Sequence, residues 1–200
     1  MIHFTDITGL AGSAVAITAM IVLLPGVARL QRPYLALLTC SIAILALIPF
    51  GGLPLAAYVR GVTGDLSVTS LLLLTLTILR PVCGWLPTDA REKTALLTLI
   101  VVAAVGLYPM ALGIGYFDPY SLGYGNPWLL GGLLLLALVA CFRRFPVVAL
   151  AIALAVFAWG LGWYESGNLW DYLLDPLLAI YAIGALLLRG IQALLKLRRA

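Results

Sequence analysis

The composition of this 200-residue chain excludes a water-soluble globular protein. Hydrophobic residues make up 64% of the sequence and charged residues only 10%, whereas soluble domains carry about 25% charged residues. Most of the apolar surface must therefore face lipid. The formal net charge of +4 fits basic residues that flank membrane spans better than it fits nucleic-acid binding.

Seven apolar stretches predict an all-α polytopic transmembrane helix bundle. No loop between them is long enough to fold separately, so we expect one integral membrane domain over 1–200. The first stretch has no basic residues before it, which is not typical of a cleaved signal peptide. The fifth stretch (127–142) is short. For the seventh (169–190), the sequence leaves open whether Asp171 and Asp175 lie in a loop or in the span. The stretches are 7–28, 34–57, 66–86, 94–115, 127–142, 146–164 and 169–190.

Prolines modify the second predicted span. Pro49 and Pro54 flank Gly51-Gly52, and proline both breaks the helical hydrogen-bond pattern and restricts the backbone. We therefore expect the second helix to end or bend early. Residues 50–60 would then form an irregular or re-entrant stretch, which must be buried in protein.

The basic residues predict the orientation of the bundle. Eleven of the twelve Lys and Arg residues fall in gaps on one side of this topology, and only Arg60 falls on the other. By the positive-inside rule the N-terminus is outside and the C-terminus inside. We expect a multi-pass protein of a bacterial inner membrane. The eleven are Arg29, Arg32, Arg80, Arg91, Lys93, Arg143, Arg144, Arg189, Lys196, Arg198 and Arg199.

Carboxylates and aromatic residues collect on the predicted outer side. Aromatic belts normally occupy both interfaces, so this excess indicates either a binding face or simply longer outer loops. The carboxylates are Asp6, Asp65, Asp118, Glu165, Asp171 and Asp175. The aromatic residues are Tyr58, Tyr116, Phe117, Tyr120, Tyr124, Trp128, Trp163, Tyr164, Trp170 and Tyr172.

Helix capping accounts for many of these polar residues. Asp and Asn side chains accept hydrogen bonds from the unpaired N–H groups of a first helical turn, and a Glu three residues after such a cap completes a capping box. Proline is also favoured directly after a cap. The predicted caps are Asp6, Asp65, Asp89 with Glu92, Asn126 before Pro127, Asn168 with Asp171, and Asp175 before Pro176.

Two outer charges do not fit capping. Arg60 departs from the positive-inside pattern, and Glu165 lies at the trailing end of a helix, where the helix dipole disfavours an anion. We expect Arg60 to pair with Glu165, or with Asp65 or Asp171. The alternative for Arg60 is stabilisation by the helix dipole together with snorkelling.

The candidate catalytic carboxylates are Glu165, Asp171 and Asp65. Asn168, Asp171 and Asp175 have the spacing of one helix face, which favours a neighbouring cation. Since no Ca²⁺-loop motif is present, we predict no metal site.

Residue types and motifs that the sequence lacks exclude several cofactors and reaction types. His3 is the single histidine, which excludes bis-His haem and multi-His metal centres, and the last span has no central lysine for a retinal Schiff base. Nucleotide-binding and hydrolase motifs are absent, so we expect no cofactor. The predicted mid-plane lacks the ionisable groups of proton relays. Its hydroxyls are expected to bond back to their own helices, for example Ser13, Thr18, Thr39 and Thr77.

These observations leave three functional hypotheses. The first is an accessory or binding component of envelope lipid or glycan handling, whose acidic and aromatic face comprises the 58–69, 116–128 and 163–175 loops. The second is a membrane-embedded transferase or hydrolase that acts on a lipid-linked substrate at the outer leaflet. The third is a facilitator of a small neutral solute.

The first hypothesis predicts partners for the protein and the residues that bind them. The partners expected are membrane lipids and a membrane protein or a second copy of the chain, with no nucleic acid. The predicted binding residues are Arg60, Asp65, Asp118, Tyr164, Glu165, Asn168, Trp170, Asp171 and Asp175.

Overall fold

The structure, a computed structural model, describes residues 4–83 and 89–197. His3, Arg198 and Arg199 lie outside the described residues. Within the described ranges the chain forms nine α-helices and one two-stranded hairpin, which confirms the all-α prediction. The helices are α1 (Phe4–Val22), α2 (Arg32–Leu47), α3 (Leu55–Thr63), α4 (Val68–Cys83), α5 (Ala90–Ala111), α6 (Pro127–Phe142), α7 (Pro146–Gly160), α8 (Leu169–Leu173) and α9 (Pro176–Leu197).

Three helices are long and apolar enough to cross a membrane. The apolar segments are Thr5–Val22, Ala90–Ala111 and Pro176–Lys196. Only 17% of the residues in the most apolar part of the third segment are buried within the protein. Its exposed apolar surface is compatible with a lipid environment. Four shorter apolar helices, α2, α4, α6 and α7, coincide with other predicted spans.

The second predicted span is divided in two. Helix α2 ends at Leu47, and strands β1 (Pro49–Phe50) and β2 (Leu53–Pro54) pair antiparallel before α3 begins. Gly51 and Gly52 make the turn at φ angles of 68° and 118°, which glycine adopts at low cost. The predicted irregular stretch thus covers the hairpin only, since 55–60 is helical. The expectation that 50–60 is buried in protein is wrong for the hairpin, because the Phe50 residue is 88% exposed, whereas Ala56 of α3 is fully buried.

The seventh predicted span begins later than expected. Residues 169–173 form the separate short helix α8, and α9 starts at Pro176. Asp171 and Asp175 therefore precede the apolar helix, which resolves the question left open by the sequence.

The described residues divide into two compact units, each built from two separate stretches of the chain. One of the points at which the chain changes unit falls within α7. In the first unit (4–83 and 157–167), α1 contacts α2, α3 and α4. Ala14, Ala46 and Ala56 meet there, because small residues allow helices to approach closely. In the second unit (89–156 and 168–197), α5 packs against α9 and against a short 3-10 helix, Pro119–Gly123.

Four of the predicted helix caps are confirmed. The Asp89 side chain accepts from the Arg91 N–H at 3.2 Å. Asn126 and Asn168 accept from the N–H two residues on, each at 2.9 Å, and the Asp175 carboxylate accepts from the Leu178 N–H at 2.8 Å. Caps are found by sequence because the accepting side chain lies within three residues of its donor.

The remaining cap predictions need correction. Ser67, not Asp65, caps α4, since its hydroxyl oxygen accepts from the Ser70 N–H at 3.1 Å. Asp6 lies inside the first turn of α1 rather than before it. Glu92 does not complete a box with Asp89, because its buried carboxylate accepts from the backbone N–H of Val147.

Candidate functional site

The nine predicted binding residues fall into two groups, one in each unit. Arg60, Asp65, Tyr164 and Glu165 belong to the first unit, with residues 163–167 of the predicted outer loops. Asp118, Asn168, Trp170, Asp171 and Asp175 belong to the second, with the 116–128 segment. Each group therefore lies within a single unit.

The Arg60 cluster comprises Asp6, Gly9, Arg60, Asp65 and Glu165, and its centre is a bidentate ion pair. The Arg60 Nε donates to Asp65 Oδ1 at 2.6 Å and Nη2 donates to Oδ2 at 3.1 Å. Gly64 ends α3 with a φ of 69°, and this turn brings Asp65 back beside Arg60. Both side chains are about one-fifth exposed. Paired charge-assisted hydrogen bonds of this kind are among the stronger polar interactions in proteins.

Two further carboxylates complete the charge arrangement around Arg60. Asp6 Oδ1 lies 3.4 Å from Nη1, and Glu165 Oε1 lies 3.9 Å from Nη2. The hydrogen bonding of the Arg60 guanidinium to the Asp65 carboxylate is the main cause that raises the Arg60 pKa above its usual value. The charges of Asp65 and Glu165 and the hydrogen bond to Asp6 add to this effect, while burial opposes it. The predicted pairing with Asp65 is confirmed, and Glu165 is only the most distant of the three partners.

Gly9 is a site residue that sequence reasoning missed. A Cβ atom at this position of α1 would collide with the Arg60 guanidinium and with the Asp65 carboxylate. The ion pair therefore rests against bare backbone. A glycine in an apolar helix carries no local signal of this role, because the groups it accommodates lie more than 50 residues away.

Hydrogen bonds from side chains to backbone carbonyls hold the 161–167 loop in place within the first unit. The buried Tyr164 hydroxyl donates to the Leu66 carbonyl at 2.6 Å, and Thr8 Oγ1 donates to the Trp163 carbonyl at 2.6 Å. Trp159 Nε1 donates to the Gly167 carbonyl at 2.9 Å. Tyr164 thus acts as a structural tether, while Glu165, with a side chain 70% exposed, faces outward from the fastened loop.

Four residues of the second group join Tyr120 in the Tyr120 cluster, which comprises Asp118, Tyr120, Asn168, Trp170 and Asp171. The fifth, Asp175, caps α9. Asp118 caps the 3-10 helix by accepting from the Tyr120 N–H at 2.9 Å. The Tyr120 hydroxyl donates to the Asp171 carboxylate, with its oxygen 2.9 and 3.1 Å from the two acceptors. Trp170 Nε1 donates to the Pro119 carbonyl at 3.0 Å, and Asn168 Nδ2 to the Tyr120 carbonyl at 2.9 Å. These bonds join the 118–123 segment to the start of α8.

Asn168 is fully buried at the centre of this cluster. Its position depends on Gly123, where a Cβ atom would overlap the Asn168 amide and press on the Trp170 ring. Around this rigid centre, aromatic side chains of the same unit are exposed: Tyr116, Phe117, Tyr124 and Trp128.

The two clusters differ in what they leave available for chemistry. The Asp65 carboxylate accepts a hydrogen bond from Arg60, and the Asp171 carboxylate accepts one from Tyr120. The Glu165 carboxylate instead lies 3.9 Å from Arg60, and its side chain is 70% exposed. Within residues 4–83 and 89–197, no three His, Cys, Asp or Glu side chains are placed to hold a metal ion together. Of the three predicted catalytic carboxylates, Glu165 is therefore the one that remains accessible.

Comparison of the chain with protein-family models, with curated proteins and with solved structures gives no match.

Proposed function

We propose that this chain is a multi-pass bacterial inner-membrane protein that binds, rather than transforms, a molecule on its outer side. Its N-terminus lies outside and its C-terminus inside. It serves as an accessory component of envelope lipid or glycan handling. The segregation of eleven of the twelve basic residues supports this orientation.

The seven-span topology requires the shorter helices to cross as well. Helices α6 and α7 contain 16 and 15 residues, or about 22 to 24 Å at 1.5 Å per residue, against a hydrocarbon thickness of about 30 Å. Local thinning of the bilayer or flanking apolar residues can make up such a difference at modest cost. The exposed apolar side chains on these helices support this proposal, among them Leu134, Leu135, Leu138, Leu150 and Phe157.

One observation supports the binding role: two of the three predicted catalytic carboxylates are engaged, while four aromatic side chains of the second unit are exposed. A general acid or base must reach its substrate, yet Asp65 and Asp171 already accept hydrogen bonds from Arg60 and Tyr120. Exposed tyrosine and tryptophan instead offer large amphipathic surfaces that suit a sugar, a lipid headgroup or a partner protein.

A transferase or hydrolase is the second candidate, and it depends on Glu165. This carboxylate is exposed next to a permanently charged arginine, which would suit general acid–base chemistry on a phosphate-containing lipid. A facilitator of neutral solutes has less support. Ser13, Thr18, Thr39 and Thr77 donate to carbonyls of their own helices, so these hydroxyls do not line a polar path.

The binding role can be tested with a matched pair of substitutions on α6. Trp128 and Phe142 lie at opposite ends of this helix and are 85% and 87% exposed. We expect native mass spectrometry of the protein, extracted in lipid nanodiscs, to show a bound glycolipid or protein at defined stoichiometry. Trp128→Ala should reduce its occupancy about tenfold or more, because aromatic anchors dominate binding energy. Phe142→Ala should leave the occupancy unchanged.

Other outcomes of this experiment separate the alternatives. Equal occupancy in both variants, or no bound molecule in the wild type, would contradict the proposed binding face. A substrate and product pair bound to the wild type, with only the substrate bound to Glu165→Gln, would establish the transferase or hydrolase instead.

A further inference from the structure

The second unit contains an apolar groove that none of the predicted site residues lines. Its volume is about 770 Å³, within the range of about 300 to 1,000 Å³ typical of ligand sites. Leu99 of α5 and Leu136 and Val139 of α6 form its walls, together with Val148 of α7. The groove is open along the helices rather than enclosed, and hydrophobic side chains make up most of its surface.

The length of the groove matches one leaflet of a bilayer. Its lining on α5 extends from Ala90 to Leu99, which corresponds to about 14 Å of helix. Half of a hydrocarbon core of about 30 Å is close to this value. An acyl chain that enters at the basic end would therefore reach the bilayer centre at the far end of the groove.

Arginines surround only one end of the groove. Arg91 lies in the first turn of α5 and Arg143 directly follows α6, and both line the groove. A third arginine contacts the groove lining at this end: Arg189 Nη1 donates to Thr94 Oγ1 at 2.6 Å. Arginine binds phosphate oxygens well because its planar guanidinium offers several fixed donors.

No carboxylate among the lining residues neutralises this end. Of the two nearby acids, Asp89 caps the first turn of α5, and the buried Glu92 accepts from the Val147 N–H. The groove thus presents a positive end and an apolar body. A second copy of the same surface, related by two-fold symmetry, would bring arginines against arginines and is disfavoured.

We propose that this groove binds one anionic phospholipid. An acyl chain lies between α5 and α6, and the phosphate group lies between Arg91 and Arg143. The proposal concerns the basic end of the second unit and does not depend on the binding face proposed above.

The charge requirement can be tested with two pairs of arginines. Delipidated full-length protein would be titrated with phosphatidylglycerol or with phosphatidylcholine of the same acyl chains, and lipid occupancy read by native mass spectrometry. Arg91→Gln with Arg143→Gln should weaken phosphatidylglycerol binding about tenfold or more and leave phosphatidylcholine binding unchanged. The matched control is Arg29→Gln with Arg32→Gln, which removes the same charge from exposed positions of the first unit and should retain wild-type binding.

A second pair of variants tests the groove itself without changing charge. Val139 lines the groove and Leu138 does not, although both are about half exposed. Val139→Trp should fill the groove and abolish selective binding, whereas Leu138→Trp should not. Equal binding of the two lipids by the wild type, equal losses in both arginine pairs, dimer formation in place of lipid binding, or displacement by inorganic phosphate alone would each overturn the proposal.

Discussion

Arg60 is held in place by three separate features of the chain. Gly9 leaves room for the guanidinium, Gly64 turns the backbone after α3, and Asp65 provides both acceptor oxygens. Asp65 does not act as a cap because its carboxylate is already committed to this cation, and Ser67 performs the capping instead. The lone basic residue of the predicted outer side is thus explained by its neighbours rather than by the helix dipole alone.

The geometry predicts which partner of Arg60 contributes to stability. In a double-mutant cycle, Arg60→Ala and Asp65→Ala should show a coupling of about 1 to 2 kcal/mol, because this largely buried bidentate pair combines two charge-assisted hydrogen bonds. The same cycle with Glu165→Ala should give less than about 0.5 kcal/mol, since this contact is long and exposed. The measurement is reversible unfolding in detergent. A larger coupling for Glu165 would contradict the description of the cluster.

At the scale of helices, Glu92 connects α5 to α7, a contact that the sequence does not predict. It lies in the first turn of α5, yet its buried carboxylate accepts from the Val147 N–H at the start of α7. Pro146 has no N–H, so Val147 carries the first donor of that helix. Glu92 therefore caps a helix other than its own, and it places a negative group where the helix dipole favours one.

This cap predicts a graded effect of substitution. Glu92→Ala should lower the free energy of unfolding by about 1 to 3 kcal/mol, because it leaves a buried donor unpaired, and Glu92→Gln should cost less because an amide oxygen still accepts. The control is Lys93→Ala, at the exposed neighbouring position, which should have little effect. Hydrogen exchange at the first turn of α7 provides the second readout. Unchanged protection there in Glu92→Ala would show that the cap is dispensable.

The sequence predicts local features of these elements well and distant ones poorly. The caps at Asn126, Asn168 and Asp175 were predicted because a cap and its donor are close in sequence. The roles of Gly9 and Glu92 were missed, since each depends on packing against segments that lie 51 to 56 residues away. Hydropathy likewise locates the apolar stretches, but it does not distinguish one continuous span from the arrangement of α2, hairpin and α3, because residues 34–57 form a single apolar stretch.

At the scale of the whole molecule, helix length and charge distribution lead to different topologies. Helix length alone selects three spans, those of α1, α5 and α9. Seven apolar stretches predict seven spans, and the basic residues agree with that number because they alternate between successive gaps. If the N-terminus is outside in both cases, seven spans place the end of α3 outside and the α6–α7 turn inside. Three spans place the end of α3 inside and the α6–α7 turn outside. This difference makes the topology measurable at two positions.

Cysteine labelling at Val62 and Arg143 therefore decides between seven and three spans. Both positions are exposed, and the background requires replacement of Cys40, Cys83 and Cys141, which are free thiols. With seven spans, a membrane-impermeant maleimide should label Val62→Cys in intact spheroplasts and Arg143→Cys only after permeabilisation. With three spans the pattern reverses. Phe117→Cys is the control, because both topologies place it outside and it should be labelled in either case.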